Sequence, residues 1–147
     1  MDGYNHESQA AGEDWRARLV CMALDARKNA YTPYSDFKVG AALLCADGSV
    51  VLGCNIENAA YGPSNCAERT AVFGAVAQGK RKFKAIAIVG GREDALEDCP
   101  PCGVCRQVLA EFCSGSFEII LGRGDKTYTV HTLSELLPYS FGPGNLL

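Results

Sequence analysis

Residues 83–90 read Phe-Lys-Ala-Ile-Ala-Ile-Val-Gly, FKAIAIVG in one-letter form. A run this short and this apolar predicts a strand covered on both faces, since neither face meets water and no polar alternation is needed. The segments flanking it carry helical signals. Upstream, a helix is predicted from Cys66 to Gln78, capped by Ser64 or Asn65 and ended by Gly79. Downstream, Gly90–Pro101 reads as a loop, and a helix starts at Cys102, directly after Pro100-Pro101, and runs to about Phe112. Helix, buried strand and helix in succession imply parallel neighbours in a sheet with helices on both faces.

Farther out, Trp15, Leu19, Met22, Ala23 and Ala26 recur at three- and four-residue steps, which predicts an amphipathic helix from about Glu13 to Asn29. Thr32-Pro33 stops it, because a residue before proline avoids helical angles. Phe37–Cys45 and Val50–Asn55 are β-rich and joined around Asp47-Gly48, a strong hairpin signal. Asn55–Asn65, punctuated by Gly62, Pro63 and Ser64, reads as a loop. Toward the other end, strands are predicted near Phe117–Leu121 and Tyr128–His131. Their short link makes them antiparallel if they pair, and Thr132 or Ser134 caps a last helix through Leu137. The order α-β-β-α-β-α-β-β predicts an α/β fold: a three-layer α/β/α domain around a mixed five-stranded sheet. That single domain spans residues 15–147. The polar stretch 1–14 is expected to be a mobile tail.

A chain of 147 residues suits one domain that buries roughly 70% of the surface its unfolded form exposes. No apolar run reaches the length of a membrane span. The first residues lack the basic and apolar regions of a secretory leader, so a cytoplasmic location is expected, and with it reduced thiols. The net charge is −3, and Lys80-Arg81-Lys82 with Lys84 is the one basic run; it reads as a solvated loop rather than a polynucleotide face. His6 and His131 are the only histidines, so a Cys–His nucleophilic pair has no well-placed base. Phosphate-cradling glycine loops are absent.

The chemistry-bearing residues sit at the two helix starts beside the apolar strand. Cys102-Gly103-Val104-Cys105 puts two sulfurs at i and i+3 on one face of a first helical turn. The positive end of the helix dipole favours the thiolates that bind metal. Cys66 holds the matching place at the other helix start, so the three can converge. Three protein ligands with one open position mark a catalytic zinc, while four sulfurs mark a closed structural one. Read from residues alone, CxxC also suits a redox pair or buried small side chains. Cys99 extends the pattern toward a four-sulfur structural module, although two prolines hold it extended, at about 3.1 Å per residue, away from the helix turn. Cys21 and Cys113 fit helix faces, and Cys45 and Cys54 lie in the hairpin. Glu68, two residues after Cys66, suits either proton transfer beside a metal or simple dipole stabilisation. Asn55 also reads as a strand-end turn former, and Phe37 as core.

Cys66-Ala67-Glu68 followed by Pro101-Cys102-Gly103-Val104-Cys105 resembles the zinc deaminases. More narrowly, TPYSDFKVGAAL, GCNIENAAYG, CAERTAVF, PCGVCRQVLAEF and LLPYSFGP, spread from about Trp15 to Phe141, resemble the small homotetrameric cytidine deaminases. GCNIEN makes that likeness specific. The chain departs from the family at Pro100, often a serine, and at Cys99, which the family does not use for metal. The resemblance implies hydrolysis of cytidine, and of 2′-deoxycytidine, to the uridine product and ammonia by a zinc-bound hydroxide, in pyrimidine salvage. It implies one Zn²⁺ per subunit on Cys66, Cys102 and Cys105, with Glu68 carrying protons. By the same likeness Asn55 and Glu57 hold the ribose 3′-hydroxyl, the Ala67 N–H grips the base carbonyl, and Phe37 stacks on the ring. Tyr61 and Phe141 reach a neighbouring subunit's site in a homotetramer. Arg69 offsets the charge of the ligand sulfurs, and Arg106 is a weaker candidate for that task. The Asn55/Glu57 pair favours a free nucleoside over a nucleotide or blasticidin S.

Overall fold

The computed structural model describes residues 14–124 and 127–147. All but Asp14 of the expected tail, His6 included, lies outside the described residues. The elements are α1 (Trp15–Arg27), β1 (Phe37–Cys45), β2 (Val50–Cys54), α2 (Ala67–Ala77), β3 (Phe83–Arg92), β4 (Ala95–Glu97), α3 (Gly103–Phe112), β5 (Glu118–Gly122), β6 (Tyr128–Thr132) and α4 (Leu133–Leu136), with a closing 3₁₀ turn at Pro143–Asn145. The strands run in the order β2-β1-β3-β5-β6. β3 and β5 are parallel, and the other neighbours are antiparallel.

The FKAIAIVG strand lies at the centre, and its residues 85–90 are buried on both faces, as their composition requires, while Phe83 is half-buried and Lys84 exposed. Ile86 and Ile88 join a core with Ala67, Ala71, Val72, Leu109 and Leu133, from the side that α2, α3 and α4 cover. Ala85, Ala87 and Val89 face the other way, against Leu19, Val20 and Ala23 of α1. Small side chains on that second face let α1 come close. A Cβ at Gly40 would stand 2.0 Å from the carbonyl oxygen of Ala23. The three-layer arrangement expected from the sequence is therefore present.

The sheet has six strands, one more than the pattern predicts. β3 runs on to Arg92, while β5 pairs only with Ala85–Ile88. The free edge at Gly90–Arg92 takes up Ala95–Glu97 as β4 within the expected loop. Glu93, at φ 48°, helps turn the chain between them. The helix caps also differ from expectation. Cys66 and Cys102 are themselves the N-caps of α2 and α3, and neither side chain makes a capping hydrogen bond. Among the described residues no helix is long and apolar enough to cross a membrane.

Candidate active site

Two close approaches bring the chemistry together. Gly53 of β2 lies under the start of α2, where a Cβ would be 2.3 Å from the Ala67 carbonyl oxygen and 2.6 Å from the Ala71 nitrogen. α2 packs in turn on α3, so both helix starts open at one place. Because Cys66 and Cys102 cap with backbone alone, their sulfurs are left to face Cys105 in the first turn of α3. The three Sγ atoms lie within 4.8 Å of one another, and Cys66 and Cys102 are 3.8 Å apart.

That donor set suits zinc. Sulfur ligands at about 2.3 Å in a tetrahedron stand about 3.8 Å from each other, and three of them leave one position open. Cys99 does not belong to the cluster. Its Sγ packs toward Gly90, where a Cβ would meet it at 2.6 Å, and burial, with the charges of Glu68 and Cys66, pushes its thiol up to about 12. The four-sulfur arrangement has no support among the described residues.

Electrostatics around the cluster favour a thiolate at Cys66. A hydrogen bond from Cys105, with help from Arg69 and Cys102, brings Cys66 down to about 5 despite partial burial. Cys105 is correspondingly held in its thiol form, by Cys66 first and then by burial and Glu68. Arg69 Nη2 donates to Cys66 Sγ at 3.3 Å, and this contact holds the guanidinium firmly charged. Its Nε is buried with no hydrogen-bond partner. Glu68 is only 4% exposed, and desolvation raises its carboxyl to about 7, against a hydrogen bond from Cys105. A carboxyl raised by burial to near the ambient pH can both give and take a proton there.

The remaining predicted residues form a second group. Asn55, just after β2, accepts from the Val39 N–H and donates to the Phe37 carbonyl, both at 2.8 Å, so it fixes the start of β1. Phe37 is half-buried against the larger core. Glu57 Oε1 accepts from the N–H groups of Tyr34 and Ser35 at 3.0 and 3.1 Å. The Ser35 hydroxyl first, then these backbone bonds, hold its carboxyl below the usual range. Glu57 and Tyr61 line a cavity of about 300 Å³ with Tyr34, Ser35 and Ser64. Tyr61 meets Tyr34 edge to face, at 6.1 Å between ring centres. Ala67 is fully buried in the first turn of α2, where backbone N–H groups lack intrahelical acceptors. Phe141 is 59% exposed, outside the packed cluster of its own chain.

Arg106 corrects one sequence expectation. It donates to the carbonyls of Pro101 and Leu136 rather than to ligand sulfur. Sequence reasoning also missed Tyr34, Ser35 and Ser64 as cavity residues. The signal available was their place on loops flanking Glu57 and Tyr61, but loop composition does not say which loops meet.

The family model of the "Cytidine and deoxycytidylate deaminase zinc-binding region" matches residues 13–120. A cytidine deaminase of Halalkalibacterium halodurans is 52% identical over 126 residues, covering 86% of this chain and 93% of that protein. One from Mycobacterium tuberculosis is 43% identical over 133 residues, covering 90% and 93%. Among solved structures, a cytidine deaminase from Burkholderia pseudomallei superposes with a TM-score of 0.78 at 48% identity, covering 84% of this chain and 97% of that one. The Mycobacterium tuberculosis enzyme gives 0.73 at 39%, covering 88% and 99%.

Proposed function

The chain belongs to the cytidine and deoxycytidylate deaminase zinc-binding family, and from that premise we propose that it converts cytidine and 2′-deoxycytidine to uridine and deoxyuridine with release of ammonia. It is a zinc-dependent hydrolytic deaminase. The observation that carries the reading is three thiols within 4.8 Å of one another with a buried carboxyl at their side.

Cys66, Cys102 and Cys105 would hold the zinc ion, one per subunit. When bound, the ion lowers the pKa of a water to about 7 and so supplies a nucleophile for C4 of the ring at neutral pH. Glu68 moves the protons. Its carboxylate takes one from the attacking water and gives it to N3 of the pyrimidine. It then takes the proton of the new C4 hydroxyl and gives it to the departing amino nitrogen. The C–N bond breaks, ammonia leaves, and the ring keeps its N3 proton and a C4 carbonyl. Arg69 offsets the net negative charge that three thiolates place around a divalent ion.

Substrate is held by the neighbouring loops. The Ala67 N–H donates to the base carbonyl, and Phe37 stacks on the ring. Asn55 spends one amide hydrogen on Phe37 and keeps a second, which with the Glu57 carboxylate suits a ribose hydroxyl that both donates and accepts. Tyr61 and Phe141 reach the site of an adjacent subunit in a homotetramer; the exposed Tyr34, Tyr61, Phe73, Tyr139 and Phe141 rings support such assembly. All eight cysteines are unpaired, which suits a reducing cytoplasm. The place in pyrimidine salvage follows from the activity proposed, which returns a free nucleoside as its uridine form. The net charge of −3 favours a small nucleoside over a polynucleotide.

The test is a panel of aminopyrimidine nucleosides and nucleotides, scored for ammonia with protein purified without chelator. Turnover is expected for cytidine and deoxycytidine and not for their phosphates. Silence across the panel, or turnover of phosphates alone, overturns the assignment.

A further inference from the structure

Arg106 and Gln107 are consecutive residues of α3, one turn after Cys102, and they point their donors at three separate carbonyls. Arg106 Nε donates to Pro101 O at 2.7 Å, and its Nη1 to Leu136 O at 2.6 Å. Gln107 Nε2 donates to Phe141 O at 2.9 Å. Each carbonyl belongs to a peptide that positions something. Pro101 is fully buried and leads directly into Cys102, and a buried carbonyl needs a partner. Leu136 ends α4, where carbonyls have no intrahelical donor. Phe141 closes the stretch that follows, in which Tyr139 takes a left-handed φ of 51°.

From these bonds we propose that Arg106 and Gln107 are positioning residues, a clamp that holds the metal-ligand loop and the C-terminal segment Leu136–Phe141 as one unit. The inference rests on the zinc-ligand and Phe141 roles proposed above. A guanidinium is a rigid planar fork, so one side chain sets the Pro101 peptide relative to α4. Through Pro101 it fixes where the Cys102 sulfur points. Through Leu136, with Gln107 on the Phe141 carbonyl, it fixes the ring offered to a neighbouring site. Arg69 and Arg106 thereby divide the work: the first serves sulfur, the second serves backbone.

The test measures zinc release from holoenzyme into a chromogenic chelator without substrate, alongside kcat and KM for cytidine. Arg106→Gln is expected to release zinc about tenfold faster and to raise KM. Gln107→Leu is expected to raise KM severalfold with zinc release unchanged. Arg106→Lys keeps the charge but not the fork, and is expected to behave like Arg106→Gln; if Arg106→Gln does not fold, the lysine variant carries the test. A merely structural role would lower the melting temperature and leave release rate and KM alone. Wild-type release and KM in the Arg106 variants, or full rescue by lysine, overturn the clamp. Wild-type protein without zinc or without ammonia release would instead sink the functional reading itself.

Discussion

Arg69 Nη2 lies 3.3 Å from Cys66 Sγ, joining a cation to a sulfur that is already the thiolate of its cluster. The pair is one turn apart on α2, so the helix that presents the ligand also presents its counter-charge. Replacing Arg69 with Gln leaves three thiolates with no positive partner at this point. Zinc affinity is expected to fall about 10–100-fold, as for other outer partners of metal ligands. Competition with a chelator of known affinity measures it. Arg69→Lys, which keeps the charge, should fall between the two; affinity equal to wild type in Arg69→Gln would show that the contact carries no charge compensation.

Glu68→Gln separates proton transfer from metal holding. The side chain is isosteric and the site is buried, so the neutral amide fits without a new desolvation cost. Turnover is expected to fall by at least about 10²–10⁴, the usual contribution of a positioned acid/base, while zinc content stays at one per chain. Loss of the metal together with activity would make Glu68 a structural support.

Gly53 places the helix that carries both residues. Alanine there would put a Cβ 2.3 Å from the Ala67 carbonyl oxygen, and backbone cannot yield as a flexible side chain would. The expected cost is about 1–3 kcal/mol of stability with a displaced Cys66–Glu68 segment. Gly74→Ala is the control, because its Cβ would meet Val51 Cγ1 at an ordinary 3.7 Å. Urea melts and kcat of the two variants check the contrast; equal effects would remove the argument from close approach.

How much of this was legible beforehand depends on how far each signal reaches along the chain. Residues 83–90 announced a central strand because burial on two faces leaves its mark at consecutive positions, here 85–90. The Asp47-Gly48 turn pinned the hairpin just as locally, and the register Leu44↔Val50 follows from it. The cysteine cluster and Glu68 were legible through spacing and through resemblance. β4 was not, since three residues pair only because β5 stops short of Gly90. Arg106 looked like a partner for sulfur because it adjoins Cys105; its acceptors are backbone carbonyls, and one of them, on Leu136, lies 30 positions away. Ser64 and Asn65 looked like caps by composition, yet the chain enters α2 at Cys66, which frees that thiol for the cluster.

Asp14 caps α1 and gives a prediction for pH. It accepts from the N–H groups of Arg16 and Ala17 and from the Tyr128 hydroxyl, the last being the largest cause of its lowered carboxyl pKa. A carboxyl depressed in the folded state stabilises above its unfolded value near 3.8 and loses that contribution as pH falls through the lower folded value. Asp14→Ala is therefore expected to cost about 1 kcal/mol at pH 7, and progressively less below pH about 4. Urea unfolding of both proteins across that range reads the difference; a cost independent of pH would mean that packing, not the charged cap, is lost.

Phe141 tests the sharing of sites between chains. Its ring is 59% exposed while its carbonyl is held by Gln107, an arrangement that fixes the backbone and leaves the aromatic face for something outside the chain. Phe141→Ala alone should raise KM for cytidine with zinc content unchanged, since the role proposed for the ring is contact with substrate and not with metal. Glu68→Gln alone should be inactive with Phe141 intact. Co-refolding the two variants creates mixed oligomers in which a chain with a working Glu68 sits beside a chain with a working Phe141. If the ring is lent across the interface, some sites in the mixture regain wild-type KM, and the recovered fraction rises with the share of the Glu68→Gln chain. If Phe141 serves only its own chain, KM stays at the Phe141→Ala value at every mixing ratio. A monomer by light scattering would end the shared-site reading before any mixing is done.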